Sequence, residues 1–321
     1  MPTSLDFEAP LADLQAELDK ARASAASGNR EAARLATRLQ AELDGKLRAL
    51  YAHLTPWQKV QVARHTDRPQ PLDYLRSAFS DFVELHGDRR FHDDKAMVGG
   101  PAFLDGRAVM VVGQQKGHDT RERVLRNFGM SGPEGYRKAQ RLFKLAEKLG
   151  MPVITLIDTS GANVGVADEE RGQAEAIASS ISVLTTLRVP IISVVTGEAN
   201  SGGALAIGVA DRILMLEHSI YSVATPEAAA AILWRSSQRA PEAAEAMRIT
   251  AQDMQRYGII DAIVPEPIGG AQRDPGAVAQ VLRDALTGTM DLLLELSIPE
   301  LLETRYQRYR NLGPFVEEAT G

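Results

Sequence analysis

The sequence contains no cysteine. Disulfides, a thiolate nucleophile and any cysteine-held zinc site within this chain are thereby excluded, and the usage fits a reducing compartment. It has no excess of positive charge: the formal net charge is −6, which gives no general case for nucleic acid or an anionic membrane. It has no long apolar run. The longest, MPVITLI and VPIISVV, are far too short to span a bilayer. The first ten residues, MPTSLDFEAP, lack the basic-then-apolar pattern of a signal peptide. Low-complexity segments and obvious repeats are absent as well. These features predict a cytoplasmic protein. What is present is ordinary globular material: 321 residues, 44% hydrophobic and 24% charged, enough for a sizeable core in one large domain or two smaller ones.

Residues 10–55 carry leucines at helical spacing: Leu11, Leu14 and Leu18, then Leu35, Leu39, Leu43, Leu47, Leu50 and Leu54. SAASGN (24–29) interrupts them, with Asn29 as a candidate N-cap. A helical hairpin is expected over about 1–60, its apolar stripe covered by its own chain or by a partner subunit. The remainder, 61–321, reads as α/β. AFLDGRAVMVVG (102–113) is a hairpin signal turning at Asp105-Gly106. SGPEGYRKAQRLFKLAEKLG (131–150) reads as a helix with Ala139, Leu142, Phe143, Ala146 and Leu149 on one face, stopped by Gly150. MPVITLID (151–158) and VPIISVVTGE (189–198) are continuous apolar runs, the mark of strands covered on both faces. Between them a helix at about 169–187 has Ala174, Ile177, Ala178, Ile181 and Leu184 as its expected buried stripe. A short interior helix is expected at 203–210. DRILMLE and SIYSVA supply strands, PEAAAAILW a helix, RYGIIDAIVPEP a helix end and a last strand, and 275–295 and 298–309 two closing helices.

The strand–helix–strand order at 151–198 implies a parallel pair. The stretches that follow the two strands, TSGANVG (159–165) and GEANSGG (197–203), then leave the same carboxyl edge, where ligands gather in open parallel sheets. Gly202-Gly203 stands at the mouth of the buried helix. The first N–H groups of a helix have no internal partner and lie at the positive end of its dipole. Glycine lets another molecule approach them closely, so the pair can donate to an oxygen that gains charge in a reaction. It can equally serve a close crossing of backbones. Ser201 invites a nucleophile reading with His118 or His218 as base and Asp158 or Asp119 behind it. The G-x-S-x-G spacing is missing, however, and a Ser there is more often a cap or turn. HGDRRFHDD (86–94) gathers histidines and aspartates, but its spacing and the interleaved Arg89, Arg90 and Lys95 favour an ion-pair and capping cluster over a metal. Lys116, Arg121, Arg123 and Arg126 form a basic cluster, either a solvated face or a receiver of phosphate or carboxylate.

LDYLRSAFSDFVELHGDRRFHDDKAMVGG (72–100), RNFGMSGPEGYRKAQRLFKLAEKLGMPVITLIDTSGA (126–162), EERGQAEAIA (169–178), SGGALAIGVADRILMLEHSIYSV (201–223) and DAIVPEPIGGAQRDP (261–275) resemble the α subunit of bacterial acetyl-CoA carboxylase carboxyltransferase. The resemblance runs from about residue 60 onward; the helical N-terminus matches in character alone. It implies a crotonase/ClpP-like spiral of β-β-α units and an α2β2 assembly. The partner β subunit would carry a four-cysteine zinc ribbon, so zinc is expected only there, together with most of the acetyl-CoA site. The carboxyl donor would be carboxybiotin on the biotin carboxyl carrier protein, with biotin carboxylase in the wider complex and malonyl-CoA as product for fatty acid synthesis. The ureido oxygen of biotin gains charge as CO2 leaves, and Gly202 and Gly203 become its expected N–H donors. Substrate binding is expected at Ser160, Gly161, Ala162, Asn163, Gly165, Ser201 and Thr225. No side-chain base is then required. This chain departs from the family's usual IDTPGAYPG at Ser160, Asn163 and Val164, from GEGGSGGA at Ala199 and Asn200, and from SPEGCASIL at Ala228. The rival expectations are a self-sufficient crotonase-fold enzyme, whether CoA hydratase or serine peptidase, and a non-catalytic assembly subunit.

Overall fold

The computed structural model describes residues 5–313, so MPTSLDFEAP is described only from Leu5 and the last eight residues lie outside the description. A 3-10 turn at Asp6–Leu11 leads into α1 (Ala12–Ala26) and α2 (Arg30–Tyr51), followed by α3 (Pro56–Ala63) and α4 (Pro71–Ser77). Then come β1 (Met97–Leu104), β2 (Arg107–Gln114), α5 (Thr120–Leu125), α6 (Pro133–Leu149), β3 (Val153–Thr159), α7 (Val166–Glu170) and α8 (Gln173–Thr186). The chain continues with β4 (Ile191–Asn200), α9 (Ser201–Gly208), β5 (Arg212–Leu216), β6 (Ile220–Ser222), α10 (Pro226–Trp234), α11 (Ala240–Met247) and α12 (Ala251–Arg256). It closes with β7 (Ala262–Val264), α13 (Pro275–Leu294) and α14 (Ile298–Arg310).

The sheet runs in the order β1-β2-β3-β4-β5-β7, with β6 paired to the far end of β4. Only β1 and β2 are antiparallel. Their turn is the expected one: Leu104 pairs with Arg107, and Asp105 and Gly106 both have positive φ, as a type I′ turn requires. The apolar runs are continuous because helices cover both faces. Met110 and Val112 of β2 and Val153 and Ile157 of β3 face a core shared with Leu142 and Phe143 of α6. Val109, Val111, Ile154 and Leu156 face the opposite core, with Tyr74 of α4 and Leu282 and Leu286 of α13. Each such side chain removes apolar area worth roughly 1.5–3 kcal/mol from water.

Most of the leucine stripe of the N-terminal hairpin is covered within the chain, with Leu35 left 40% exposed. Leu18 packs on Leu39, Leu43 and Leu47, and Ile268 closes the cluster. At its base the Tyr51 hydroxyl donates to Glu8 at 2.9 Å, Arg273 donates to the same carboxylate at 3.0 Å, and the Tyr51 ring meets His218 edge-on at 5.3 Å.

Three expectations need correction. The buried stripe of α8 is Gln173, Ala176, Ser180 and Leu184. Ala174 and Ala178 are exposed and Ile177 and Ile181 only half-buried, because the Gln173 amide turns inward to donate to the Ser131 and Asn163 carbonyls at 2.9 and 2.8 Å. Leu149, on the last turn of α6, is 56% exposed; the helix runs past its core there. Finally, residues 197–200 are not a loop. β4 continues through Asn200, held by its pairing with β6, and α9 starts at the next residue, two before the expected start.

Candidate active site

The junction of β4 and α9 has no linker. Ser201 turns the chain with a φ of 58°, an uncommon conformation for a residue with a side chain and a place where local strain is stored. The N–H groups of the first turn therefore point out of the carboxyl edge of the sheet without intrahelical partners. A Cβ on Gly203 would lie 2.5 Å from the Ala162 nitrogen and closer still to the Gly161 carbonyl carbon. Only glycine lets the 159–162 segment approach so closely, so the two stretches after β3 and β4 touch. Gly202 differs: a Cβ there meets nothing nearer than Ile177 Cδ1 at 3.5 Å. The two glycines thus differ: Gly203 is a close backbone crossing, and Gly202 is open.

Ser201 and Gly202 line a groove of about 930 Å³ with Leu205, Tyr221, Met247 and Tyr257 among its walls. Leu205 is 42% and the neighbouring Val223 80% exposed, so the groove is apolar and open. Ser160 lies elsewhere, in a charged cavity of about 190 Å³ with Arg64, Lys116, Asp158 and Glu198. Gly161 and Ala162 sit against Gly203. The Asn163 side chain donates to the Asp168 carboxylate, and its own N–H to the Ser131 carbonyl at 3.0 Å. Gly165 precedes α7, where a Cβ would lie 2.7 Å from Asp168 Oδ2. Thr225 caps α10, its side chain accepting from the Ala228 N–H at 3.3 Å. The expected substrate residues therefore divide between an apolar groove, a charged cavity and local loop bracing.

The charged cavity holds what sequence reasoning missed. Lys116 Nζ lies 2.7 Å from Asp158 Oδ1 and 2.8 Å from Glu198 Oε2. Arg64 Nε donates to the other Glu198 oxygen at 2.7 Å and its fork reaches Glu227. The Glu198 N–H donates to Asp158 Oδ1 at 2.9 Å. A chain of alternating charge thus crosses the ends of β2, β3 and β4. Burial alone would push the Glu198 carboxyl up, but Lys116 and then Arg64 outweigh it and hold it at about 2. Burial likewise opposes the Lys116 charge, and the two carboxylates overrule it and raise its pKa. Lys116 is not part of a solvated face.

The histidines are engaged elsewhere. His118 Nε2 lies 2.7 Å from Asp73 Oδ2, and buried His218 Nδ1 lies 3.4 Å from Lys59 Nζ. Neither serves Ser201. In 86–94, Asp93 pairs with Lys138 at 2.6 Å and Lys95 at 3.0 Å, and Asp88 accepts from the Arg90 and Phe91 N–H groups, both at 2.9 Å. Ion pairs and capping account for that cluster.

The sequence matches the family described as acetyl co-enzyme A carboxylase carboxyltransferase-like over residues 4–313. It is 51% identical over 316 residues to the acetyl-coenzyme A carboxylase carboxyl transferase subunit alpha of Aromatoleum aromaticum, covering 98% of both chains. With the same subunit of Geobacter metallireducens it is 52% identical over 313 residues, again covering 98% of each. The chain belongs to this carboxyltransferase family. Its fold, the crotonase-like α/β fold, also occurs in a Pseudomonas malonate decarboxylase hetero-tetramer solved with coenzyme A, at a TM-score of 0.59 and 18% identity over 74% of this chain and 94% of that one. The transcarboxylase 12S core, solved with methylmalonyl-coenzyme A, gives a TM-score of 0.55 at 20% identity, covering 71% of this chain. This chain spans 44% of the transcarboxylase chain.

Of the residues that depart from the family's usual motifs, those in β4 are built into the core and two others are exposed. Asn200 is fully buried; its Oδ1 lies 2.6 Å from the Ser222 hydroxyl and its Nδ2 donates to Glu198 at 3.4 Å, which ties the strand end to the charge chain. Ala199 is fully buried in the strand. Val164 is 86% exposed, and Ala228 is exposed on α10. Among the described residues no helix is long and apolar enough to cross a membrane.

Proposed function

We propose that this chain is the α half of a two-subunit carboxyltransferase that moves the carboxyl group of carboxybiotin, presented by a biotin carboxyl carrier protein, onto acetyl-CoA to give malonyl-CoA. The observation that carries the reading is the unpartnered first turn of α9, opening at Gly202 onto an apolar groove, in a chain about half identical to named α subunits over nearly its whole length. Carboxybiotin supplies the carboxyl group and, once relieved of it, a basic nitrogen. The chain's own part is to bind, orient and stabilise. The Gly202 and Gly203 N–H groups donate to the oxygen that becomes negative, an interaction worth about 10²–10³ in rate per donor. Leu205, Met247 and Tyr257 supply apolar walls that would exclude water once a β subunit closes the groove. Ser160, Gly161, Ala162, Asn163, Gly165, Ser201 and Thr225 are the proposed substrate-side positions, Ser201 nearest the groove.

The openness of the groove supports a site completed by a β subunit in an α2β2 assembly. The four-cysteine zinc site that the resemblance implies is assigned in this proposal to that partner, since this chain has no cysteine to hold it. Biotin carboxylase would recharge the carrier, and the whole would work in the cytoplasm. Residues 1–60 are proposed as an extension of the catalytic unit formed by 61–321.

The test is malonyl-CoA-dependent carboxylation of biotin by this chain alone and with its β partner. Turnover only in the mixture is expected. Turnover by the chain alone would revive a self-sufficient crotonase-fold enzyme. Gly202→Val, whose Cβ has room but whose methyls cover the N–H groups, should assemble normally and lose at least about 10² in kcat. Full turnover of that variant would leave a merely assembling subunit as the better description.

A further inference from the structure

We infer that Gln114 is a positioning residue for the Gly203 donor; the inference rests on the reading of Gly202 and Gly203 as N–H donors. Gln114 ends β2, is fully buried, and its Nε2 donates to the Gly203 carbonyl at 2.7 Å. Glycine has no side chain through which packing could fix its dihedrals. Gly203 is instead gripped from two sides, by the backbone of Gly161 and Ala162 and by the Gln114 amide on its carbonyl. Anchoring that carbonyl sets the tilt of the first turn, and with it the direction of the N–H groups.

The anchor is itself braced. The adjacent Gln115 accepts from the Leu72 N–H at 3.0 Å and donates to Gln70 Oε1 at 2.9 Å. Gln70 also accepts from the Gly117 N–H at 2.6 Å and donates to the Gly117 carbonyl at 3.0 Å. The end of β2 is thus fastened to the segment that starts α4, and force on Gly203 is resisted through Gln114.

Fold stability alone does not account for the amide. Gln114 Oε1 is buried without a hydrogen-bond partner, a net cost that an apolar side chain of the same length would avoid. A buried amide kept with its oxygen unpaired and its hydrogen bond made to the donor residue is what a positioning role requires.

The experiment uses the complex of this chain with its β partner and the biotin-carboxylation assay. Gln114→Met removes both the donor and the unpaired oxygen. The expected result is a kcat lower by roughly 10- to 100-fold with the KM for malonyl-CoA unchanged within about twofold, and a melting temperature not below the parent's. Gln114→Glu is the isosteric readout. Its carboxyl can donate to the Gly203 carbonyl only when protonated, so its kcat relative to parent should rise as pH falls. Parental kcat in Gln114→Met beside an inactive Gly202→Val would overturn the role of Gln114 and leave the donor reading standing. A pH-independent ratio for Gln114→Glu would overturn it too. Full turnover of Gly202→Val would remove the donor reading and this inference with it.

Discussion

Lys116→Met keeps the length of the side chain and removes its charge. Asp158 and Glu198 then lose an ammonium at 2.7 and 2.8 Å. Glu198 retains Arg64 at 2.7 Å, whereas Asp158 keeps the Glu198 N–H at 2.9 Å. The Glu198 carboxyl, held at about 2 against an ordinary 4.5, corresponds to roughly 3 kcal/mol at about 1.4 kcal/mol per unit. That is the net of burial opposing Lys116, the larger favourable contributor, and Arg64, the smaller. With Asp158 also left without its ammonium, the loss should fall in the range of roughly 3–5 kcal/mol seen when a buried ion pair is broken by removing one partner. At about 2 °C per kcal/mol for a chain of this size, the melting temperature should drop by roughly 6–10 °C near neutral pH.

The pH dependence has a definite sign. A carboxyl whose folded pKa is lowered contributes stability above its unfolded value, here 4.5, and loses it as pH falls toward about 2. Without Lys116 the Glu198 carboxyl loses the larger of the two cations that lower it and shifts upward, and a proton can replace the missing ammonium. The penalty of Lys116→Met should therefore shrink as the buffer is acidified from neutral toward pH 4.5. Thermal denaturation followed by circular dichroism at two pH values, for parent and variant, measures both effects. The double variant Lys116→Met/Glu198→Gln should recover part of the loss. Equal melting temperatures near neutral pH, or a penalty that does not fall on acidification, would falsify the account.

Gly203→Ala should cost both activity and stability, because its Cβ would meet the backbone of Gly161 and Ala162. Gly202→Ala, with only Ile177 at 3.5 Å, should keep its melting temperature. Parallel melts of the two assembled variants check the contrast, and indistinguishable curves would refute it. The His118 pKa is raised, chiefly by its hydrogen bond to Asp73. Its stabilisation is therefore complete below the ordinary 6.5 and lost as pH rises through the elevated value. Accordingly, His118→Gln should destabilise the protein in mildly acidic buffer and be neutral in alkaline buffer, as urea unfolding at the two extremes would reveal.

Much of the scaffold is written locally. Asp105-Gly106 between two apolar runs specifies its turn, and β-branched runs such as VITLI need two covered faces to make sense. Local pattern misled where a tertiary partner decided the outcome. The α8 face rotated because the Gln173 amide had carbonyls to satisfy across the loop. β4 ran on through Asn200 because β6, from 20 residues later, was there to pair with it. Lys116, Asp158 and Glu198 are far apart in sequence, yet each lies at or just beyond the end of an apolar strand. Once three strands are taken as adjacent and ending at one edge, charges of opposite sign at their tips point to a cluster. That signal was available in the sequence. The positive φ of Ser201 was not, since serine is common in ordinary turns.

The absence of any linker between β4 and α9 limits how this protein can change. The first turn of α9 is continuous with the central strand, so it cannot swing without dislocating the sheet. The 160–165 stretch, which differs from the usual family pattern at Ser160, Asn163 and Val164, is freer at its tip, where Val164 stands 86% exposed. The junction is an anvil cast in one piece with the sheet.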